Sequence, residues 1–442
     1  MGRRRTAAVL VGALAMWPAS ASAQATSLHG TGDFTVAVDT NVGSRGGQFT
    51  DVAFTVSPGL LLLHRLRRGG LAASWTRSFV FFVRSSGSSA SADDGTLDFT
   101  YQLTELDTLG LSVGVSRART NFISLASPAD TTALAQPTNP VQLLTPSLAQ
   151  RYDHTFSREW SLSQTSSASV TQPLSDVDGA STLVTTSASL GPNVQVADRH
   201  GLGFRGLFRY YYLSRLQLTT ALAEAGVDPA DLDEPVHQLM PGAEATWRWQ
   251  VADLWSTETT GGVLVPMTLD GERDVFPTAR LAGLYQNRTF GAALVLQRTM
   301  NPSFQTRQIF VTHAATLSAS LPIVEEERLY AQGAAAVAHN QVYATGDTLD
   351  DARAVSLSVD LGVSWTPESS PVTFLGRYQH ARQMGSTDEL VLQDFARHVV
   401  SVGVSWILPP PDAMVAGRTL FEPVDGRTPG GRPVGAEQAP GR

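Results

Sequence analysis

The chain has no cysteine and no lysine; all 32 of its basic residues are arginine. Without cysteine there are no disulfides and no thiol chemistry. Without lysine there is no Walker-type phosphate loop, whose lysine reaches the phosphates. Charged residues make up only 16% of the chain, and the net charge is −8. No basic stripe is present of the kind a nucleic acid would need, so no nucleic-acid partner is expected. Long apolar runs are also missing. One short run, Thr6–Trp17, follows Arg3, Arg4 and Arg5 and precedes Ala21-Ser22-Ala23. A positive segment, a short apolar segment and a small-residue cleavage site predict a removable signal peptide over 1–23. Its removal would take three positive charges away and leave the remainder at −11. No other stretch approaches the ~20 apolar residues of a membrane-spanning helix.

The apolar residues alternate with polar ones. Leu97, Phe99, Tyr101 and Leu103 interleave with Thr96, Asp98, Thr100, Gln102 and Thr104. Val355, Leu357, Val359, Leu361, Val363 and Trp365 interleave with Ser356, Ser358, Asp360, Gly362 and Ser364. Val400, Val402, Val404 and Trp406 do the same with Ser401, Gly403 and Ser405. A period of two places successive side chains on opposite faces of a strand. The runs have the ~9–11 residue length of a tilted membrane strand.

Connections alternate between long and short. The long ones fall at 84–95, 123–147, 217–236, 268–275, 300–307, 344–351 and 384–394. Tight turns fall near 67–70, 107–108, 157–159, 198–201, 252–253, 286–289, 322–326 and 368–371. Short turns on one side and longer loops on the other form the bacterial outer-membrane pattern. The seven tryptophans beyond the signal (Trp75, Trp160, Trp247, Trp249, Trp255, Trp365 and Trp406) are predicted at the short-turn ends, as a periplasmic interfacial belt.

The expectation is an all-β fold: a closed antiparallel transmembrane barrel of about eighteen strands, with sixteen as the alternative because 160–172 and 290–298 alternate poorly. A short segment, 24–32, precedes the barrel at 33–408, and a Pro/Gly-rich periplasmic tail follows at 409–442. Alternation that begins at Phe34 leaves no length for an N-terminal plug domain. Residues 219–234 could form a short helix within their loop. The sequence thus resembles Gram-negative outer-membrane β-barrels of the porin kind. Val400–Trp406, closing on an aromatic residue, resembles the C-terminal signal read by the barrel-assembly machinery, which it implies as a partner. Outer-membrane lipid and lipopolysaccharide are the other partners expected. Phe34–Val42, with Val52, Phe54, Val56 and Ser57-Pro58-Gly59-Leu60, resembles the opening hairpin of barrels associated with exopolysaccharide export.

The search for chemistry yields little. Gly110-Leu111-Ser112-Val113-Gly114 matches a nucleophile elbow in letters, but it continues a strand pattern instead of opening a helix. Gly201, Gly203 and Gly206 have dinucleotide-fingerprint spacing, yet an aromatic strand-like run follows. The nine histidines are scattered and none sits in a metal-binding motif. No catalytic residue, metal site or cofactor is predicted, and no enzymatic role. Acidic residues gather in or beside the long connections, Asp93, Asp94, Asp228, Asp231, Asp270 and Asp347 among them, and read as a solvated surface. The predicted lumen-facing residues are Asp98, Arg205, Arg209, Glu244, Arg248 and Asp360, with Arg215 on the same face as the other two arginines of its segment. Opposite charges facing each other across a pore would set a transverse field. The leading function is a passive, weakly selective channel for small hydrophilic solutes. The alternatives are a structural or export barrel of a surface polysaccharide system and a soluble secreted all-β binding protein. The solute and the oligomeric state are not fixed by the sequence.

Overall fold

A computed structural model describes residues 26–40, 50–84, 89–119, 142–174, 182–214, 235–268, 274–287, 289–302, 309–324, 328–343, 353–368, 370–385 and 395–408. The strands are β1 Thr26–Asp39, β2 Asp51–Leu66, β3 Gly69–Phe82, β4 Ala90–Gln102, β5 Asp107–Arg119 and β6 Gln142–Thr155. They continue as β7 Trp160–Pro173, β8 Leu183–Ala197, β9 His200–Leu213, β10 Val236–Ala252, β11 Trp255–Leu264 and β12 Met267–Thr268. The last are β13 Phe276–Gln286, β14 Gly291–Pro302, β15 Ile309–Val324, β16 Leu329–Tyr343, β17 Arg353–Trp365, β18 Val372–Gly385 and β19 Phe395–Leu408. No helix occurs among the described residues.

β12 is not a stave of its own. It keeps the register of β11 against β10, with Gly242 opposite Leu264 and Leu239 opposite Met267. The wall therefore has eighteen staves, not sixteen. Each pairs antiparallel with the next in chain order, and β19 returns to β1. Phe34 faces Val404, Val36 faces Val402 and Val38 faces Val400. Closure has a simple physical cause: an open edge in hydrocarbon would leave backbone donors and acceptors without partners. The apolar closing segment and the apolar first hairpin match in period, so pairing them leaves no face reversed. The first strand starts earlier than the sequence suggested, at Thr26 instead of Phe34. Segment 26–32 is part of the wall, because Gly30 and Gly32 interrupt the apolar face and hide the alternation. Gly32 is needed bare: a Cβ there would collide with the Trp406 ring that lies over it.

Eight short turns connect the staves at one end, and both barrel termini lie there too. Nine longer connections lie at the other end, among them 41–49 and 175–181, which the sequence pattern did not mark as long. Strands also run further into the long connections than alternation showed, since β4 opens at Ala90 and β6 at Gln142. The predicted signal peptide, the tail, the short helix at 219–234 and most of the acidic loop residues lie outside the described residues. Asp93 and Asp94 do not belong to a loop: both are in β4, on opposite faces.

The seam can be tested covalently, because the native chain has no thiol. Cysteines replacing Ala37 and Ser401, which face each other across β1 and β19, should cross-link under mild oxidation, as facing Cα atoms in an antiparallel pair lie within disulfide range. A pair at Phe34 and Val400, four residues out of register, should not. Cross-linking of the second pair and not the first, read by gel mobility of the folded protein, would refute the closure.

Candidate functional site

The register fixes which side chain faces which way. Phe34 opposes Val56 across β1–β2 and Val404 across β1–β19, and Leu60 opposes Trp75 across β2–β3. Carried round the wall, the same parity puts Leu111, Leu148, Leu190, Phe204, Phe208, Leu281, Leu296, Leu317, Leu361 and Val402 on one face, where all are exposed. Exposed leucine and phenylalanine on the convex side of a closed wall form a lipid-facing band.

All seven tryptophans point outward. Trp160 and Trp255 open their strands at the short-turn end, Trp365 closes β17 there, and Trp406 is third from the end of β19. Trp247 and Trp249 stack in parallel 5.7 Å apart beside His200 near the same end of β10. Trp255 packs on Tyr285 at 4.8 Å and Trp365 on Phe374 at 5.4 Å. Trp75 departs from the predicted belt. It is the seventh residue of the fourteen in β3, so its ring lies at mid-height against lipid, where an indole is also apolar enough to stay.

The opposite parity faces the lumen, and it is polar except near the long-connection end, where Tyr211, Met240, Leu264 and Phe276 form an apolar cluster. All six predicted lumen residues are on it. Asp98 accepts a hydrogen bond from the Ser112 hydroxyl at 2.7 Å. Ser112, the centre of the elbow-like motif, is thus a mid-strand lumen residue. Arg205 and Glu244 are cross-strand partners 3.8 Å apart, and Arg209 follows on the same face towards the loop end. Arg248 donates to Glu258 at 3.0 Å, and Glu258 also holds Arg280. Asp360 binds Arg377 through two oxygens, at 2.9 and 3.0 Å to Nε. Arg215 lies outside the described residues.

Several lumen groups were not found from the sequence: Asp33, Asp39, Asp51, Arg151, Asp153, Glu258, Arg280, Arg377 and Arg397. Parity within their own segments was available for Glu258, but β11 interleaves Ser256, Glu258 and Thr260 with Thr257, Thr259 and Gly261. Neither face of that strand is apolar, so nothing in the local sequence says which one is wet.

The order of the staves gives the charges a pattern. In an eighteen-stave barrel each stave roughly faces the ninth one on. β1, β2 and β4 carry Asp33, Asp39, Asp51, Asp94 and Asp98 inward, with Arg65 as the one guanidinium on those three staves among the described residues. β9, β10 and β13 stand across the lumen and carry Arg205, Arg209, Arg248 and Arg280, against Glu244 and the intervening Glu258. One wall has an excess of carboxylate and the facing wall an excess of guanidinium, which sets a field across the pore. Between them, β7 and β8 offer uncharged polar groups: hydroxyl pairs Thr165 to Ser189 at 2.7 Å, Ser167 to Ser187 at 2.7 Å and Ser169 to Thr185 at 2.6 Å, and the Asn193 amide, which donates to Ser163 at 3.0 Å.

An apolar girdle, an aromatic belt at the short-turn rim and a charged, hydroxyl-rich interior occur together in one kind of protein. This is a closed, membrane-spanning β-barrel. The soluble all-β alternative is overturned by the girdle. No protein-family model matches the sequence, and no curated protein does. Several solved structures are similar over most of this chain. The FrpB iron transporter from Neisseria meningitidis is similar over 83% of this chain, at 9% identity and a TM-score of 0.45; the chain spans 64% of that protein's length. Pseudomonas aeruginosa OpdQ is similar over 87% of this chain and 97% of its own, at 8% identity and 0.43. The outer membrane protein opdK from Pseudomonas aeruginosa is similar over 87% and 98%, at 11% and 0.42. Among the described residues no cluster of potential ligands could hold a metal ion.

Proposed function

We propose that the barrel is a passive channel for small hydrophilic solutes, acting as a conduit and not as an enzyme. The observation that carries this reading is the facing of a carboxylate-rich wall and an arginine-rich wall across a lumen that also carries hydroxyls and amides, with an apolar cluster of Tyr211, Met240, Leu264 and Phe276 near its long-connection end. Such a lumen replaces part of a solute's hydration shell without a deep binding well, so ions and small polar molecules enter and leave. Its acids and bases nearly balance, which gives weak ion preference. The closing strand supports recognition by the barrel-assembly machinery.

The purified barrel, reconstituted into planar bilayers, should give discrete conductance steps in potassium chloride, with a small reversal potential across a salt gradient. Replacing Arg205 and Arg280 together with glutamine removes two positive charges from one wall and should shift that potential towards cation selectivity. A folded, inserted barrel that carries no current would refute the channel. An unchanged reversal potential in the double variant would remove these walls from the conduction path.

A further inference from the structure

The lipid-facing wall carries a basic site that the channel reading does not use. Arg298 on β14 stands opposite His313 on β15, which stands opposite His339 on β16. All three share the outward parity of Leu296, Leu317 and Val337. The two imidazole rings are 6.1 Å apart. Around them opens a cavity of ≈ 490 Å³, with Leu281, Leu296 and Val337 as its apolar lining and Ala279 opposite Arg298 leaving room. The Arg298 guanidinium carbon lies 4.9 Å from the centroid of the Phe276 ring. Its Nε is buried and has no hydrogen-bond acceptor among the described residues.

His313 is eleven residues from the short-turn end of β15. At ~3.3 Å per residue along a strand tilted by about 40°, that is roughly 25–30 Å up the wall, the far edge of an apolar band about 25 Å tall. A guanidinium placed there meets the headgroups of the outer leaflet. Facing hydrocarbon without an anion would be costly.

The rest of the exterior has the same sign asymmetry. Among the described residues, the outward-facing arginines Arg77, Arg117, Arg298, Arg353 and Arg382 all lie in the loop-side half of the wall. The outward carboxylate in that half is Asp93, which already lies between Arg77 at 3.6 Å and Arg117 at 3.8 Å. A protein of net charge −8 therefore presents cations to the outer leaflet.

We propose that the cup formed by Arg298, His313 and His339 binds a phosphate group of a phosphorylated outer-leaflet glycolipid, with Leu281, Leu296 and Val337 receiving one of its acyl chains. Guanidinium and phosphate match as paired charge-assisted hydrogen bonds, and each imidazole presents a ring N–H whether or not it is charged. The apolar lining selects a lipid-borne phosphate over a free one. The site lies on the outer surface, so it stands whether or not the lumen conducts.

The test uses the intact barrel in detergent micelles and counts bound lipid by native mass spectrometry. The probes are lipid A with both phosphates, dephosphorylated lipid A, and inorganic phosphate as competitor. The phosphorylated lipid should be retained at least about tenfold more than the dephosphorylated one. Arg298→Gln should abolish that preference, Arg382→Gln, elsewhere on the girdle, should keep it, and millimolar phosphate should not displace the lipid. If Arg298→Gln fails to fold, the double variant His313→Ala/His339→Ala should weaken the preference in its place. Equal retention of both lipids, or the same loss in Arg382→Gln as in the cup variants, overturns the proposal. Displacement by inorganic phosphate would make the cup a free-anion site and overturns the lipid assignment.

Discussion

Asp39→Ala should destabilise the folded barrel by about 3–5 kcal/mol, the range for breaking one side of a buried ion pair. Asp39 ends β1 and Arg397 lies near the start of β19, so their bond joins the first and last staves on the lumen side of the seam. The Arg397 Nε donates to both carboxylate oxygens, at 3.0 and 3.1 Å. The side chains are 8% and 2% exposed, so water cannot replace a lost partner. Asp51 stands directly opposite Asp39 across β1–β2, which would be repulsive if both carboxylates sought the same cation. Instead Asp51 accepts from backbone amides, from Val52 at 2.7 Å and from Arg84 at 3.0 Å, and Asp39 is left to Arg397. Asp39→Asn, which keeps an acceptor, should cost less than Asp39→Ala. The measurement is the urea midpoint of the heat-modifiable band for wild type and both variants in the same micelles. An alanine variant with an unchanged midpoint would show that the pair does not hold the seam.

The second large effect separates the two faces of one strand. Leu361→Arg should cost about 2–4 kcal/mol, because the side chain is more than half exposed to lipid and lies four residues above the belt tryptophan Trp365, near the middle of the bilayer. Ser358→Arg should leave insertion intact, since Ser358 shares the inward face with Asp360, whose partner Arg377 shows that a guanidinium is accommodated there. Folding yield into liposomes and the urea midpoint measure the first, and the reversal potential the second, which should move towards anions. Equal folding of both variants would mean that the facing of β17 is misassigned.

Much of the architecture was legible because a membrane barrel writes itself in period two. Leu357 and Leu361 on one side and Ser358 and Asp360 on the other follow from counting, as does the inward face of Arg205 and Arg209 on β9. The antiparallel return of Val400–Trp406 to the first hairpin follows from an even stave number together with the need to leave no edge in lipid. Alternation failed where both faces are small or polar, as in β7 and β11, and where glycine replaces the apolar residue, as at Gly30 and Gly32; there the strand is held by its neighbours' ladders and not by its own pattern.

Local pattern gives the face of a residue but not its neighbours around the wall. That Asp93 meets Arg117 outside while Asp94 faces the lumen depends on the register of β3, β4 and β5. That Asp39 meets Arg397 across 358 positions depends on closure, and the same is true of the acidic staves standing opposite the arginine staves. The height of Trp75 at mid-wall depends on where β3 starts, and the cup at Arg298 on three strands being in register at one level. The sequence by itself determined a closed barrel, its faces and its short-turn rim, because side-chain alternation and turn length are local properties of the chain. The pairings across the seam, the field across the lumen and the basic cup on the lipid face were decided by the tertiary structure, because they are set by stave number, register and closure, which no single segment contains.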